Sequence, residues 1–160
     1  MTDKSLAAKA AQGAAAGLIA TVPMTVTMAL LFRRLPARQR YPLPPARSTA
    51  EMADRAELEE HVDEPPEHLA ATGVGHFGYG ALGGTVYRLA LEPVALPPLV
   101  KGVVFGSVVW AQSYLGWLPA FEIQTPATRQ PTERTLLMIA AHWVYGAGLG
   151  LAADALTGEE

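Results

Sequence analysis

Two histidines in uncharged stretches of the chain are the residues best suited to chemistry. His76 and His142 are each followed three residues later by a tyrosine, Tyr79 and Tyr145. On a helix, residues three and four positions apart share a face, so each histidine lies beside its tyrosine. An ionisable group in an apolar helix is costly, and it faces the protein interior or a water-filled cavity when lipid surrounds the helix.

Three interpretations of these histidines remain open. Each imidazole is neutral and hydrogen-bonded to a tyrosine or a carbonyl across a helix seam, or the region is a polar path for protons or a small solute. In the third interpretation the two rings ligate a b-type haem, as facing histidines do in helical bundles. The candidate polar seam consists of six residues: His76, Tyr79, Gln112, Ser113, His142 and Tyr145.

The composition excludes several kinds of chemistry. The chain has no Cys, which removes thiol catalysis and thiolate metal sites. Two histidines without a nearby Asp or Glu make a poor zinc site, so we expect no metal. The sequence GHFGYG lacks the spacing of a dinucleotide motif, and no Ser–His–acid set lies in the uncharged stretches. We therefore expect no catalytic residue, no enzyme activity and no cofactor unless haem is bound.

Four long uncharged runs must position the histidines. Of the 27 formal charges, 14 lie in residues 33–67, which leaves the rest of the chain poor in charge. The predicted spans are about 10–32, 69–88, 100–121 and 135–154. At ~1.5 Å per residue such helices are roughly 28–35 Å long, which matches a hydrocarbon core of about 30 Å. The sequence thus predicts an all-α, four-transmembrane-helix bundle, with a compact Ala-rich soluble bundle as the alternative.

The two histidine segments also match each other at an offset of 66 residues. Pro65 and Glu67 then correspond to Pro131 and Glu133. We interpret the chain as one helical hairpin used twice, with both copies running in the same direction across the membrane. Glycines four residues apart allow close helix packing, and each span has one such pair: Gly13 and Gly17, Gly80 and Gly84, Gly102 and Gly106, Gly146 and Gly150.

The positive charges predict the orientation. Four spans place both termini on one side, with four Lys and Arg residues, while the loops of the other side hold eight Arg. Because cytoplasmic loops are rich in Lys and Arg, we expect loops 33–68 and 122–134 in the cytoplasm. The loop 33–68 is long and polar, and about 48–62 is predicted as an amphipathic helix near the headgroups, or as a face that docks a partner.

A family resemblance agrees with this organisation. The chain resembles the YagU-like family of small bacterial inner-membrane proteins in YPLPPARS (41–48), in a GLIA-containing first span, in a later span with His, in a Lys-x-x-x-Gly start to the third span and in a Pro…Glu…His run into the last. The resemblance implies a multi-span helical protein of the bacterial cytoplasmic membrane. The family has no established activity, so it implies no catalytic residue.

From the sequence we expect a multi-pass, non-enzymatic inner-membrane protein whose His/Tyr seam supports passage of protons or a small solute, or helix assembly. The alternatives are a haem-binding electron-transfer subunit and a membrane-embedded structural or interaction protein. The expected partners are the lipid bilayer and a second copy of the chain, because four short spans can need another copy to enclose a path. A net charge of −3 argues against binding to nucleic acid.

Overall fold

The computed structural model describes residues 3–55, 65–91 and 93–157. Over these residues the secondary structure is helical, with short turns between the helices and no strand. Two short 3₁₀ turns, at Ala37–Gln39 and Ala127–Arg129, and a π-helical turn at Gln112–Trp117 accompany the α-helices. The predicted all-α class is therefore confirmed. The α-helices are α1 (Asp3–Phe32), α2 (Pro44–Arg55), α3 (Pro65–Leu91), α4 (Pro98–Ala111), α5 (Leu118–Ala120) and α6 (Thr132–Thr157).

The third rod of the bundle is interrupted by the π turn. α4, the π turn and α5 follow one another without a break from Pro98 to Ala120, which is about 34 Å at ~1.5 Å per residue. α4 begins with Pro98, which suits the first turn of a helix because the N–H groups of that turn have no partner within the helix. The π turn changes which side chains face inward, and it buries Ser113 and Tyr114.

Among the described residues, two helices, not four, are long and apolar enough on their own to cross a membrane. These are α1, from Ser5 to Phe32, and α6, from Thr132 to Thr157. α3 has sufficient length, but its glycines and His76 lower its hydropathy, and the π turn cuts α4 to 14 residues. The prediction of two further spans is thus not reproduced by helix length and composition.

The long loop contains a helix that differs in its bounds from the predicted one. α2 begins at Pro44, four residues before the predicted start at residue 48. Residues 56–62 of the predicted amphipathic helix lie outside the described residues. α2 packs on α3, and a Cβ placed on Gly75 would lie 3.9 Å from Thr49 Oγ1.

Glycines bring α1 and α3 into backbone contact. Gly13 and Gly17 of α1 face Gly84 and Gly80 of α3. A Cβ placed on Gly13 would lie 2.6 Å from the carbonyl oxygen of Gly84, well inside van der Waals contact. Each of these positions therefore needs glycine for the helices to keep their spacing.

The same arrangement joins α4 and α6. A Cβ on Gly146 would collide with the backbone of Gly102, and one on Gly150 would collide with that of Pro98. A Cβ on Gly106 would likewise strike the carbonyl of His142. All eight predicted packing glycines thus lie at one of two helix seams, although the internal repeat itself stays a prediction.

The remaining two sides of the bundle differ in width. α1 and α6 are close, since a Cβ on Gly148 would lie 3.5 Å from Ala20. α3 and α4 approach each other less closely, and large side chains span the gap between them. The rings of Tyr87 and Phe105, for example, meet edge to face with centroids 5.3 Å apart.

Large apolar side chains cover the outward faces of all four long rods. Each rod has at least three that are between 43% and 76% exposed, for example Leu18, Val22, Val26, Val74, Leu82, Val86, Val100, Val104, Val108, Leu136, Trp143 and Leu151. A water-soluble monomer seldom exposes so continuous an apolar surface.

The glycine seams predict a sharp contrast between two glycines of α3. Gly84→Ala is expected to destabilise the bundle by about 1–3 kcal/mol, because its Cβ would collide with the backbone of Gly13. Gly78→Ala is the matched control, since no atom lies within 4 Å of the added Cβ. Thermal unfolding of the detergent-solubilised protein, followed by circular dichroism, measures both. Equal midpoints for the two variants would contradict the close contact of α1 and α3.

Candidate functional site

The structure brings five of the six predicted polar residues into the bundle between α3, the π turn and α6. We call these five the His–Tyr cluster: His76, Tyr79, Ser113, His142 and Tyr145. The sixth, Gln112, begins the π turn and is exposed, so it is not part of the cluster.

His142 is buried in α6 and held by its own helix. Its side chain is 5% exposed, and its Nδ1 lies 2.7 Å from the carbonyl oxygen of Met138, one turn earlier. In this bond the ring nitrogen donates, which fixes the proton on Nδ1 in the neutral ring. Tyr114 packs edge to face against the imidazole, with ring centroids 5.7 Å apart. His142 is therefore a packed and hydrogen-bonded core residue.

Tyr145 connects α6 with α3. Its hydroxyl donates a hydrogen bond of 2.7 Å to the carbonyl oxygen of Gly80 in α3. Gly83 provides the space, because a Cβ there would lie 2.7 Å from the same hydroxyl. Gly83 was not predicted from the sequence, because that prediction considered only pairs of glycines four residues apart, here Gly80 and Gly84.

Ser113 is a hydrogen-bonding centre between α3 and the π turn. Its hydroxyl is 3.2 Å from Tyr79 Oη, and it accepts a bond of 3.3 Å from Trp117 Nε1. The rings of Tyr79 and Trp117 also meet, with centroids 6.0 Å apart. Ser113 is buried and Tyr79 is 38% exposed, so this part of the cluster reaches the surface of the bundle.

His76 differs from His142 in having a ring nitrogen without a protein partner. Its Nε2 is buried and makes no hydrogen bond to any described residue. The hydroxyl of Thr72, one turn earlier on α3, is likewise buried and unbonded. A buried polar group without a partner costs about 1–3 kcal/mol, so a polar occupant beside these atoms would stabilise the fold. Within the described chain, no hydrogen bond or ring contact joins His76 with His142.

The cluster has little to offer a metal ion by itself. No group of three or more His, Asp or Glu side chains suited to metal binding occurs among the described residues. Haem would need the Nε2 atoms of both histidines to point at one iron. Because His142 is hydrogen-bonded through Nδ1, its Nε2 atom is available to a ligand. The haem alternative stays a prediction.

A second buried polar group lies in the first turn of α6 and was not predicted from the sequence. Arg134 is 3% exposed, and its guanidinium lies over the Tyr41 ring, 3.6 Å from the ring centroid. It donates to three backbone carbonyls of the segment after α1: 2.7 Å to Gln39, 3.0 Å to Tyr41 and 3.2 Å to Pro42. We call this arrangement the Arg134 anchor. It fixes the start of the long loop on α6.

The Arg134 anchor is extended by a side-chain bond. Gln39 is 4% exposed, and its Nε2 donates to Glu133 Oε2 at 3.1 Å. In the sequence, Arg134 counted only as one of the loop charges. The sequence does place Arg134 directly before an uncharged run, but the carbonyl groups to which it donates lie more than 90 residues away in the sequence.

Comparisons with protein families, with curated proteins and with solved structures find no match to this chain. The resemblance to the YagU-like family therefore stays a prediction.

The Arg134 anchor predicts that charge alone is not sufficient at this position. Arg134→Lys keeps the charge but loses the fork that reaches three carbonyls, so we expect destabilisation by about 1–3 kcal/mol. Faster amide hydrogen exchange over residues 39–43 should accompany it. Arg129→Lys, in the loop before α6, is the control and should leave that exchange unchanged. Unaltered exchange in Arg134→Lys would show that the segment is held by other contacts.

Proposed function

We propose that the chain is a non-enzymatic, four-span integral protein of the bacterial cytoplasmic membrane, in which the His–Tyr cluster carries protons or a small polar solute between helices. The observation that carries the proposal is the buried Nε2 of His76, which has no hydrogen-bond partner among the described residues, as is also true of the Thr72 hydroxyl one turn earlier.

The surface of the bundle supports four spans. α1 and α6 have the length and hydropathy of membrane helices, and the other two rods expose apolar side chains in the same way. In hydrocarbon these faces need no cover, while backbone groups are bonded within each helix. The Arg-rich loop at 33–68 then lies in the cytoplasm by the positive-inside rule.

The polar interior supports passage through its unequal histidines. Tyr145 and His142 end their hydrogen bonds on backbone carbonyls, which suits helix assembly. His76 and Thr72 are one turn apart on α3, and within the described part of the chain the His76 Nε2 atom and the Thr72 hydroxyl make no hydrogen bond. Ionisable groups inside membrane bundles commonly mark proton or solute pathways. His76 is thus the residue on which we place the passage, and His142 the one that supports packing.

Topology is the first test. Because the natural chain has no Cys, single-cysteine variants give an unambiguous labelling readout. Thr157→Cys, at the end of α6, should react with an impermeant maleimide added to intact cells, whereas Arg38→Cys should react only after permeabilisation. The protein should also stay in the membrane pellet after alkaline carbonate extraction. Release by carbonate, or labelling of both variants in intact cells, would contradict the four-span proposal.

Flux is the second test, and it separates the two histidines. In proteoliposomes we measure proton flux with an entrapped pH dye and passage of glycerol and urea by swelling. His76→Ala should lower the flux at least tenfold and change the unfolding midpoint less than His142→Ala does, because the Nε2 atom of His76 makes no hydrogen bond to a described residue. His142→Ala should instead lower the midpoint by removing a buried ring.

His68→Ala, at the start of α3, is the control and should retain full flux. Flux that survives His76→Ala would end the passage proposal and leave helix assembly as the role of the cluster. A Soret band in the purified protein would favour the haem-binding alternative instead.

A further inference from the structure

A cavity of about 270 Å³ opens at the end of the bundle that is opposite to the long loop. α3 ends there, α4 begins there and α6 ends there, and all three helices line the cavity. A water molecule occupies about 30 Å³ of the liquid, so the space is suited to a small polar molecule or a lipid headgroup. Its walls carry five polar side chains: Tyr87, Arg88, Lys101, Asp154 and Thr157.

One wall of the cavity is cationic. Lys101 of α4 donates from Nζ to the carbonyl oxygens of Leu91, at 3.2 Å, and Val94, at 3.1 Å. An ammonium group has three N–H donors, so one remains for a ligand after these two bonds. Arg88 of α3 lines the same cavity and adds a second positive charge. Together these groups match an anionic phosphate.

The facing wall, on α6, is anionic. The Asp154 side chain lines the cavity and is exposed. Over the part of the chain that the structure describes, no side chain donates to the Asp154 carboxylate. The Thr157 hydroxyl donates to the backbone carbonyl oxygens of Asp154, at 2.8 Å, and Ala153, at 3.1 Å. The hydroxyl oxygen of Thr157 can therefore still accept a hydrogen bond from a ligand. This wall suits the positive end of a ligand.

We propose that the cavity binds a small zwitterion that carries a phosphate and a primary ammonium group. The phosphate contacts Lys101 and Arg88, and the ammonium group contacts Asp154. Tyr87 is buried at the cavity, and its contact with Phe105 closes the space towards the bundle interior. The charges lie where the uncharged runs end, which in a membrane is the depth of the lipid headgroups.

Two sources have this chemistry: the headgroup of phosphatidylethanolamine and soluble O-phosphoethanolamine. The lipid source rests on the proposed membrane insertion, whereas the soluble source does not. The cavity and its charges are separate from His76, so loss of proton or solute flux would not affect this proposal.

Native mass spectrometry of the full chain in detergent tests the lipid source. The protein is incubated with phosphatidylethanolamine, phosphatidylglycerol or phosphatidylcholine of identical acyl chains. We expect one retained phosphatidylethanolamine at an occupancy at least tenfold above phosphatidylcholine, whose trimethylated nitrogen cannot donate to Asp154. Lys101→Gln should lower this retention at least tenfold. Lys9→Gln, near the same end of the bundle but outside the cavity lining, should leave it unchanged.

Asp154→Asn keeps the test decisive if Lys101→Gln fails to fold, because Asp154 is exposed. This variant should lose the preference for phosphatidylethanolamine over phosphatidylglycerol and should still bind the phosphate. Equal retention of the three lipids by the unaltered protein, or an unchanged preference in Asp154→Asn, would overturn the proposed lipid site.

Calorimetric titration with O-phosphoethanolamine tests the soluble source in the same protein. Binding that Asp154→Asn weakens at least tenfold supports recognition of the zwitterion itself. Lipid retention without soluble binding supports the headgroup as the ligand, with the acyl chains adding affinity. Absence of both would overturn the proposal.

Discussion

The contact of glycine backbones at two helix seams is the constraint on which the rest of the structure depends. At these glycines α1 meets α3 and α4 meets α6 so closely that an added Cβ would lie well inside van der Waals contact of the neighbouring helix. In lipid, helix association relies on such packing because apolar side chains gain nothing by leaving hydrocarbon for one another. A Cβ added at any of the eight seam glycines would strike the facing backbone, the Thr21 side chain at Gly80 or an adjoining helix end, so the spacing leaves no room for adjustment.

The tight seams leave the polar groups on the one wider side of the bundle. Tyr79 reaches Ser113 across the gap between α3 and the rod that begins with α4, and Tyr87 meets Phe105 nearer the other end. The cavity that Tyr87 lines lies at that end of the bundle. The proposed passage and the proposed binding site are thus both consequences of one geometric difference. At the glycine seams the small Thr21 hydroxyl bonds to the backbone of its own helix, whereas between α3 and α4 aromatic side chains hold the helices apart and leave space for larger polar groups.

The sequence was sufficient to predict the helical class, the residues that pack at the seams and most of the cluster, because each of these depends on local spacing along one helix. Glycines four residues apart share a face whatever the rest of the chain does. The π turn was not predictable in this way, and neither was the burial of Ser113 within it beside the exposed Gln112. The Arg134 anchor was also missed, since it depends on three carbonyls that meet α6 only after the chain has folded.

The difference between the two histidines follows from the long loop. In sequence they occupy matching positions, but the loop that precedes α3 contains α2, and α2 packs against α3 beside Gly75, next to His76. The start of that loop is fixed to α6 by Arg134, whose counterpart at the offset of 66 residues is His68. The loop therefore meets α3 along one side and α6 at its first turn, and the two equivalent helices have different neighbours. His142 is enclosed by its own helix and Tyr114, whereas His76 faces a region where a buried nitrogen and hydroxyl are left unbonded. Two histidines in similar sequence segments thus differ in the structure: His142 bonds within its own helix, and the Nε2 atom of His76 has no partner among the described residues.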